Sequence, residues 1–180
     1  MLYIFMAEGF EEVEAIATID VIRRADIEIK TVGINSKTIK GSHGMPVVCD
    51  INEDEISLDA DVDGIILPGG MPGTLNLNDS PAVQNAINFC AENGKLLAAI
   101  CAAPLILGRK GLLKDKNAVC FPGFEDELAG AIISENFVCT DGNVITAKGM
   151  GSAINFGLAI VAYFKGAEKA AELKAALQCS

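Results

Sequence analysis

The chain has 180 residues, of which 51% are hydrophobic and 21% charged, so it can bury a sizeable core and is not a disordered chain. Its formal net charge of −10 argues against nucleic acids and anionic membrane surfaces as partners, because both would repel it. We see no secretory signal and no apolar run near the ~20 residues that span a bilayer. We therefore expect one cytoplasmic domain over residues 1–180.

Runs of apolar residues predict strands that alternate with helices along the chain. The core strands are predicted at residues 2–6, 27–34, 62–67 and 95–100. Shorter strands are predicted within residues 38–49, at 117–120, and in a hairpin of 137–140 with 143–146. Helices are predicted at residues 11–25, 81–93, 102–107, 152–164 and 168–177. This alternation predicts an α/β fold with a mostly parallel sheet, whose functional sites gather at the carboxyl ends of the strands.

Residues 98–104, with the sequence AAICAAP, carry the most informative pattern. They predict a strand that runs directly into a helix, with Cys101 at a strained turn whose neighbours must be small. This nucleophile-elbow arrangement and the positive end of the helix dipole predict a reactive thiolate at Cys101. The alternative, a small buried hydrophobic residue, is what we expect of most other cysteines in the chain: Cys49, Cys90, Cys139 and Cys179.

The use of cysteine and histidine argues against a metal site and a disulfide framework. The six cysteines include no C-x-x-C pair, and the chain has only one histidine. We therefore expect free thiols in a reducing compartment and no bound metal.

Two further features follow predicted strand ends. A backbone N–H of Gly70, together with that of Ala102, can point at an oxyanion formed when Cys101 attacks a carbonyl. An ordinary turn is the simpler interpretation of the glycines at 69–70. Glu14 has the helical spacing of an inward-facing residue, and a carboxyl buried beside a thiolate would be protonated and able to act as acid or base. A solvated residue that complements the helix dipole is the simpler interpretation of Glu14.

Taken together, these motifs resemble the ThiJ/PfpI superfamily and, within it, the DJ-1 branch. The matching segments are residues 11–14, 20–25, 67–70, 98–104, 146–149 and 156–161. The resemblance implies a flavodoxin-like (Rossmann-like) three-layer sandwich, a homodimer and no cofactor. It also implies that Cys101 is a redox-sensitive nucleophile and that Glu14 is its protonated hydrogen-bond partner.

The chain departs from the pattern of this branch at Phe121, where relatives often have a histidine before a proline. Phenylalanine cannot exchange a proton, so the Cys–His pair of many nucleophilic enzymes is missing, which argues against peptidase activity. His43 stands where the family often has an arginine that reaches the partner subunit's site, although a solvated loop histidine is the simpler interpretation. Arg24, in the first-helix motif, is a further candidate for lining the site.

Two functional hypotheses follow. In the first, the protein is a cofactor-free enzyme of the glyoxalase or deglycase type that acts on small aldehydes such as methylglyoxal. Cys101 forms a hemithioacetal, Glu14 moves the proton, and the N–H groups of Gly70 and Ala102 hold the oxyanion. In the second, it is a non-catalytic redox sensor or chaperone-like stress protein in which Cys101 is oxidised. Phe121 favours the second hypothesis.

Overall fold

A seven-stranded sheet forms the middle layer of the structure, a computed structural model that describes residues 1–179. The strand order is β10-β11-β7-β6-β1-β2-β5, and every pair except β10–β11 is parallel. These strands are β1 (Leu2–Met6), β2 (Ile29–Gly33), β5 (Ile51–Asn52), β6 (Gly64–Leu67), β7 (Leu96–Ile100), β10 (Val138–Asp141) and β11 (Val144–Ala147). Two small sheets pair β3 (Thr38–Lys40) with β4 (Pro46–Val48) and β8 (Asn117–Ala118) with β9 (Ile132–Ile133).

Helices cover both faces of this sheet. They are α1 (Glu12–Arg24), α2 (Gly73–Asp79), α3 (Pro81–Glu92), α4 (Pro104–Arg109), α5 (Ala153–Lys165) and α6 (Ala167–Ala176). The buried residues of α1 and α5 share one core with one face of the sheet, and those of α3 and α4 share a second core with the other face. The predicted three-layer, mostly parallel α/β sandwich is therefore confirmed. None of the helices within residues 1–179 combines the length and apolar character needed to span a membrane.

The central strands place the candidate site at one edge of the sheet. All five residues of β1 are buried, as expected of a strand covered on both faces. It pairs in parallel with β6, which in turn pairs in parallel with β7. The carboxyl ends of these strands therefore meet at the same edge, where residues 7–11, 68–70 and 101 follow them.

Several elements differ from the prediction: the short strands β5 and β9 were not expected, and two helices also differ. Helix α2 was not expected, because its sequence, GTLNLND, is rich in residues with low helix propensity. The burial of Leu77 against the rest of the molecule stabilises it instead. Helix α4 begins three residues after Cys101 rather than directly after it, and it has only six residues.

Candidate active site

Cys101 occupies the turn after β7 in the left-handed backbone region, with φ of 64°. Residues other than glycine avoid this region, so the strained conformation predicted from the sequence is present. Backbone hydrogen bonds hold it on both sides. The Cys101 N–H donates to the Ala147 carbonyl (2.9 Å), and the Cys101 carbonyl accepts from the Phe121 N–H (2.8 Å).

The glycine pair after β6 allows three segments to meet at this turn. A Cβ atom on Gly69 would lie 2.6 Å from both the Cβ of Cys101 and Oε2 of Glu14, so only glycine fits between them. Gly70 has φ of 92°, a conformation that side chains rarely adopt. The ordinary-turn interpretation of this pair is therefore insufficient, because close approach of the chain to Cys101 requires both glycines.

Glu14, on the first turn of α1, is buried and points at the same place. Its Oε2 accepts a hydrogen bond from the Gly69 N–H at 2.9 Å. Burial raises the pKa of Glu14 to about 7, against the lowering effects of hydrogen bonds from the Cys101 thiol and the Gly69 N–H. The carboxyl therefore changes protonation near neutral pH.

The pKa of the Cys101 thiol is raised, whereas the nucleophile-elbow pattern predicted that it would be lowered. Burial, followed by the charge of Glu14 and a hydrogen bond to it, raises the pKa of Cys101 to about 12. Backbone N–H groups of Ala102 and Gly70 lower it, but less. These shifts disfavour the thiolate that the elbow predicted, because burial and Glu14 outweigh the backbone N–H groups, and the reactivity of Cys101 stays a prediction. The pair holds two protons below about pH 7 and one proton between about pH 7 and 12.

The turn between β3 and β4 forms a separate polar cluster at the start of α1. The buried Glu12 accepts hydrogen bonds from the backbone N–H of His43 (2.8 Å) and of Met45 (3.4 Å), and its carboxylate contacts the His43 ring (3.1 Å). Although burial acts to raise it, these bonds lower the pKa of Glu12 to about 2. The same contact raises the pKa of His43, whose ring is mostly exposed.

This cluster also brings together possible metal ligands. One ligand atom each from Glu11, Glu12 and His43 lie within 4.8 Å of one another. The Ser42 hydroxyl lies within 3.2 Å of all three side chains and occupies the space between them. The cluster holds the β3–β4 turn against the start of α1, and the charge of Glu11 also acts to raise the pKa of Glu14.

The comparison with protein families agrees with this geometry. The model of the DJ-1/PfpI family matches residues 1–163. The chain belongs to the DJ-1/PfpI family. Among curated relatives, the Parkinson disease protein 7 homolog of Danio rerio is 35% identical over 178 residues, covering 97% of this chain and 94% of the relative.

Other relatives extend this family assignment. Protein DJ-1 homolog B of Arabidopsis thaliana is 38% identical over 95% of this chain, but the match covers 39% of that longer protein. The glutathione-independent glyoxalase DJR-1.2 of Caenorhabditis elegans is 31% identical, covering 93% of this chain and 90% of the relative. The structure of oxidised Toxoplasma gondii DJ-1 superposes with a TM-score of 0.94 at 32% identity, covering 99% of this chain and 98% of that one.

The structure brings together Cys101, Glu14 and the backbone of Gly70 and Ala102, but not every residue suggested by the family resemblance. Arg24 pairs with Asp20 (2.6 Å) at the far end of α1, ten residues or about 15 Å along the helix from Glu14. It does not line the Cys101 site within one protomer.

His43 is likewise held at the turn, by Glu12. Its predicted reach into a partner's site stays a prediction. Phe121 does lie at the site, through its backbone hydrogen bond to Cys101.

Sequence reasoning missed the role of the Gly69 N–H, which binds Glu14 directly. It also missed Glu12, whose burial was not visible among three acidic residues at a helix start.

All six cysteines are free, and only Cys101 and Cys179 are partly exposed. Cys179 was expected to be a buried hydrophobic residue and is not one, because it lies at the end of the chain beyond α6.

Proposed function

We propose that this DJ-1/PfpI family protein is a cysteine-dependent, cofactor-free glyoxalase that converts methylglyoxal-type α-ketoaldehydes into 2-hydroxy acids. The observation that carries the proposal is the convergence of the Glu14 carboxyl and two backbone N–H groups on the Cys101 thiol. A nucleophile, a proton carrier and oxyanion donors are the parts that carbonyl addition needs. The similarity to a relative named as a glutathione-independent glyoxalase supports the same reaction.

The proposed reaction starts from the pair with one proton. As the Cys101 sulfur bonds to the aldehyde carbon, the thiol proton passes to the Glu14 carboxylate, which returns it to the new alkoxide to give a hemithioacetal. The N–H groups of Gly70 and Ala102 stabilise the alkoxide. Glu14 then removes the proton on the former aldehyde carbon and delivers it to the adjacent carbon, while the hydroxyl proton moves to the oxygen on that adjacent carbon, which leaves a 2-hydroxy thioester. The resulting thioester is hydrolysed by water, which releases the 2-hydroxy acid and regenerates the thiol.

In the proposed mechanism Glu14 carries these proton transfers. Phe121 stands where an imidazole would assist, and His43 is bound to Glu12. A second positioned acid or base typically contributes ~100- to 10,000-fold in rate. We therefore expect slow turnover, and Phe121→His is expected to raise it.

The test is lactate formation from methylglyoxal by the purified protein. The wild type is expected to produce lactate and Cys101→Ser to produce none above the uncatalysed rate, because the hydroxyl is a far weaker nucleophile than the thiol. Cys120→Ser is the matched control, since it removes a buried thiol close to the site in sequence but outside the proposed chemistry. Equal lactate production by wild type and Cys101→Ser would refute the proposal.

A redox sensor is the second candidate, and Phe121 is the observation that favours it. Without a histidine, oxidation of Cys101 to sulfenic or sulfinic acid becomes competitive with slow carbonyl chemistry. A protonated Glu14 could then donate a hydrogen bond to the oxidised sulfur. Peroxide titration followed by mass spectrometry tests this. Selective oxygen addition at Cys101, together with no aldehyde turnover, would favour the sensor over the enzyme.

We also propose a homodimer, on the evidence of exposed apolar side chains. Val13 and Ile16, one helical turn apart on one face of α1, are each 44% exposed. Large apolar side chains grouped on a surface mark protein interfaces. Light scattering after size-exclusion chromatography is expected to give twice the 18.9 kDa chain mass. The Val13→Glu variant is expected to have a lower measured mass, closer to that of the monomer. A dimer mass that this substitution leaves unchanged would mean that the interface lies elsewhere on the surface.

A further inference from the structure

An apolar groove of about 320 Å³ opens beside the turn that carries Cys101. Its largest side chains are Phe121, Phe137 and Met150, which are 47%, 67% and 53% exposed. Gly149 leaves room for the Phe121 ring, because a Cβ atom there would lie 3.2 Å from the ring. Large apolar side chains around a concave surface of this volume are typical of small-molecule sites.

Backbone hydrogen bonds join this groove to Cys101 on two sides. The Phe121 N–H donates to the Cys101 carbonyl (2.8 Å). The Cys101 N–H donates to the carbonyl of Ala147 (2.9 Å), which directly precedes Lys148 and Gly149 of the groove. These bonds place the groove beside the backbone of the turn that carries Cys101.

Lys148 is the charged residue of the groove. Its Nζ lies 5.5 Å from the centre of the Phe137 ring, a cation–π contact. It forms no ion pair with any of residues 1–179. Its charge therefore repels amines and guanidinium groups and admits neutral or anionic substituents.

We propose that this groove binds the substituent of the carbonyl substrate and selects an uncharged or anionic aromatic ring, so that arylglyoxals are preferred over methylglyoxal. The inference rests on the proposed function, because it assumes that Cys101 attacks an α-ketoaldehyde. Aromatic faces and a thioether bind a ring favourably, whereas a methyl group fills little of the groove. Phe121 stands where relatives often have a histidine. The phenylalanine cannot exchange a proton, but its ring face can contact an aromatic substituent of the substrate.

Alkylation of Cys101 tests this selection without requiring turnover. Phenacyl bromide and bromoacetone both form a carbon–sulfur bond with release of bromide, and they differ in carrying a phenyl or a methyl group. The rate ratio of the two reagents is measured by mass spectrometry at Cys101 and, in the same protein, at the partly exposed Cys179. Cys179 corrects for intrinsic reactivity. The ratio at Cys101 is expected to exceed that at Cys179 by about tenfold, which corresponds to about 1.4 kcal/mol.

Substitutions locate the preference in the groove. Phe137→Ala and Met150→Ala are each expected to lower the corrected ratio at Cys101 by about threefold or more. Tyr163→Ala is the matched control, because Tyr163 is a 40% exposed aromatic residue on α5 that does not line the groove, and it is expected to leave the ratio unchanged. A wild-type ratio near one, or equal losses in Tyr163→Ala and the groove variants, would overturn the inference.

Turnover assays with methylglyoxal and phenylglyoxal separate this inference from the proposed function. If methylglyoxal is converted but the corrected alkylation ratio is near one, the glyoxalase proposal stands and the aromatic selection is wrong. If neither compound is converted while the ratio is high and depends on Phe137, the groove selects aromatic carbonyl compounds and the glyoxalase proposal fails. A high ratio together with a higher kcat/KM for phenylglyoxal supports both.

Discussion

Glu12 and Glu14 lie two residues apart on the first turn of one helix, and both are buried, yet their pKa values move in opposite directions. The pKa of Glu12 falls to about 2, and that of Glu14 rises to about 7. Glu12 faces the β3–β4 turn, where its carboxylate accepts hydrogen bonds from backbone N–H groups. Glu14 faces Cys101, where burial dominates and a single N–H donates to it.

The difference teaches that the depth at which a carboxyl is buried and the number of donors around it together decide its charge, because Glu14 lies much deeper in the protein than Glu12 and accepts fewer backbone hydrogen bonds. A carboxylate with several N–H partners is a structural element that stays ionised. A buried carboxyl with few donors titrates near neutral pH, which is the property that a proton carrier requires. The two sides of α1 therefore have separate tasks, and each can be tested against the other.

The largest expected contrast is in activity. Glu14→Gln is expected to lower kcat/KM for methylglyoxal by about 100-fold or more, because the amide cannot carry the proton. Glu12→Gln, the matched control on the same helix turn, is expected to change kcat/KM by less than about threefold. Lactate production is measured below the unfolding temperature of both variants. A similar loss in the two would mean that Glu14 acts through structure and not through proton transfer.

The pH dependence sharpens the contrast further. The active pair carries one proton, so kcat/KM is expected to fall about tenfold per pH unit below about pH 7, where Glu14 takes up a second proton. The Glu12→Gln variant is expected to show the same fall in kcat/KM below pH 7, and the Glu14→Gln variant is expected not to show it. The measurement is kcat/KM for methylglyoxal from pH 5 to 9. A flat profile in the wild type would show that the Glu14–Cys101 pair does not set the rate.

A smaller contrast is expected in stability. The pKa of Glu12 is lower in the folded protein than its ordinary 4.5, so its contribution is present above pH 4.5 and is lost as pH falls from 4.5 toward 2. Glu12→Gln is expected to lower the free energy of unfolding at pH 7 by about 2 kcal/mol, because buried N–H groups lose a charged acceptor. Urea unfolding at pH 7 and pH 3 measures both effects.

The contribution of Glu14 to folding stability depends on pH in the opposite direction. Its folded pKa is higher than 4.5, so its carboxyl is favourable below pH 4.5 and its contribution is lost as pH rises from 4.5 through about 7. Glu14→Gln is therefore expected to be at least as stable as the wild type at pH 8. If Glu14→Gln is less stable than the wild type at pH 8 and Glu12→Gln is not, the assigned roles of the two carboxyls are wrong.

The periodicity of the sequence was sufficient for the sheet and for most helices, because buried strands and amphipathic helices have local patterns. Helix α2 was not predicted because its stability comes from the burial of Leu77 and not from local propensity. The Cys101 turn and the Gly69–Gly70 pair were visible as motifs. The pKa of Cys101 was predicted in the wrong direction, because it depends on burial and on Glu14, which lies 87 residues away in the sequence. The Phe121–Phe137 groove likewise depends on tertiary contacts.

The left-handed backbone conformation of Cys101 determines which substitutions at this position stabilise the protein. A residue with a Cβ atom is strained at φ of 64°, whereas glycine is not. Glycine would therefore relieve backbone strain at the very position where it removes the thiol. Cysteine at this position therefore has a conformational cost that glycine would not have. The catalytically dead protein is accordingly expected to tolerate heating better when Gly, and not Ala, replaces Cys101.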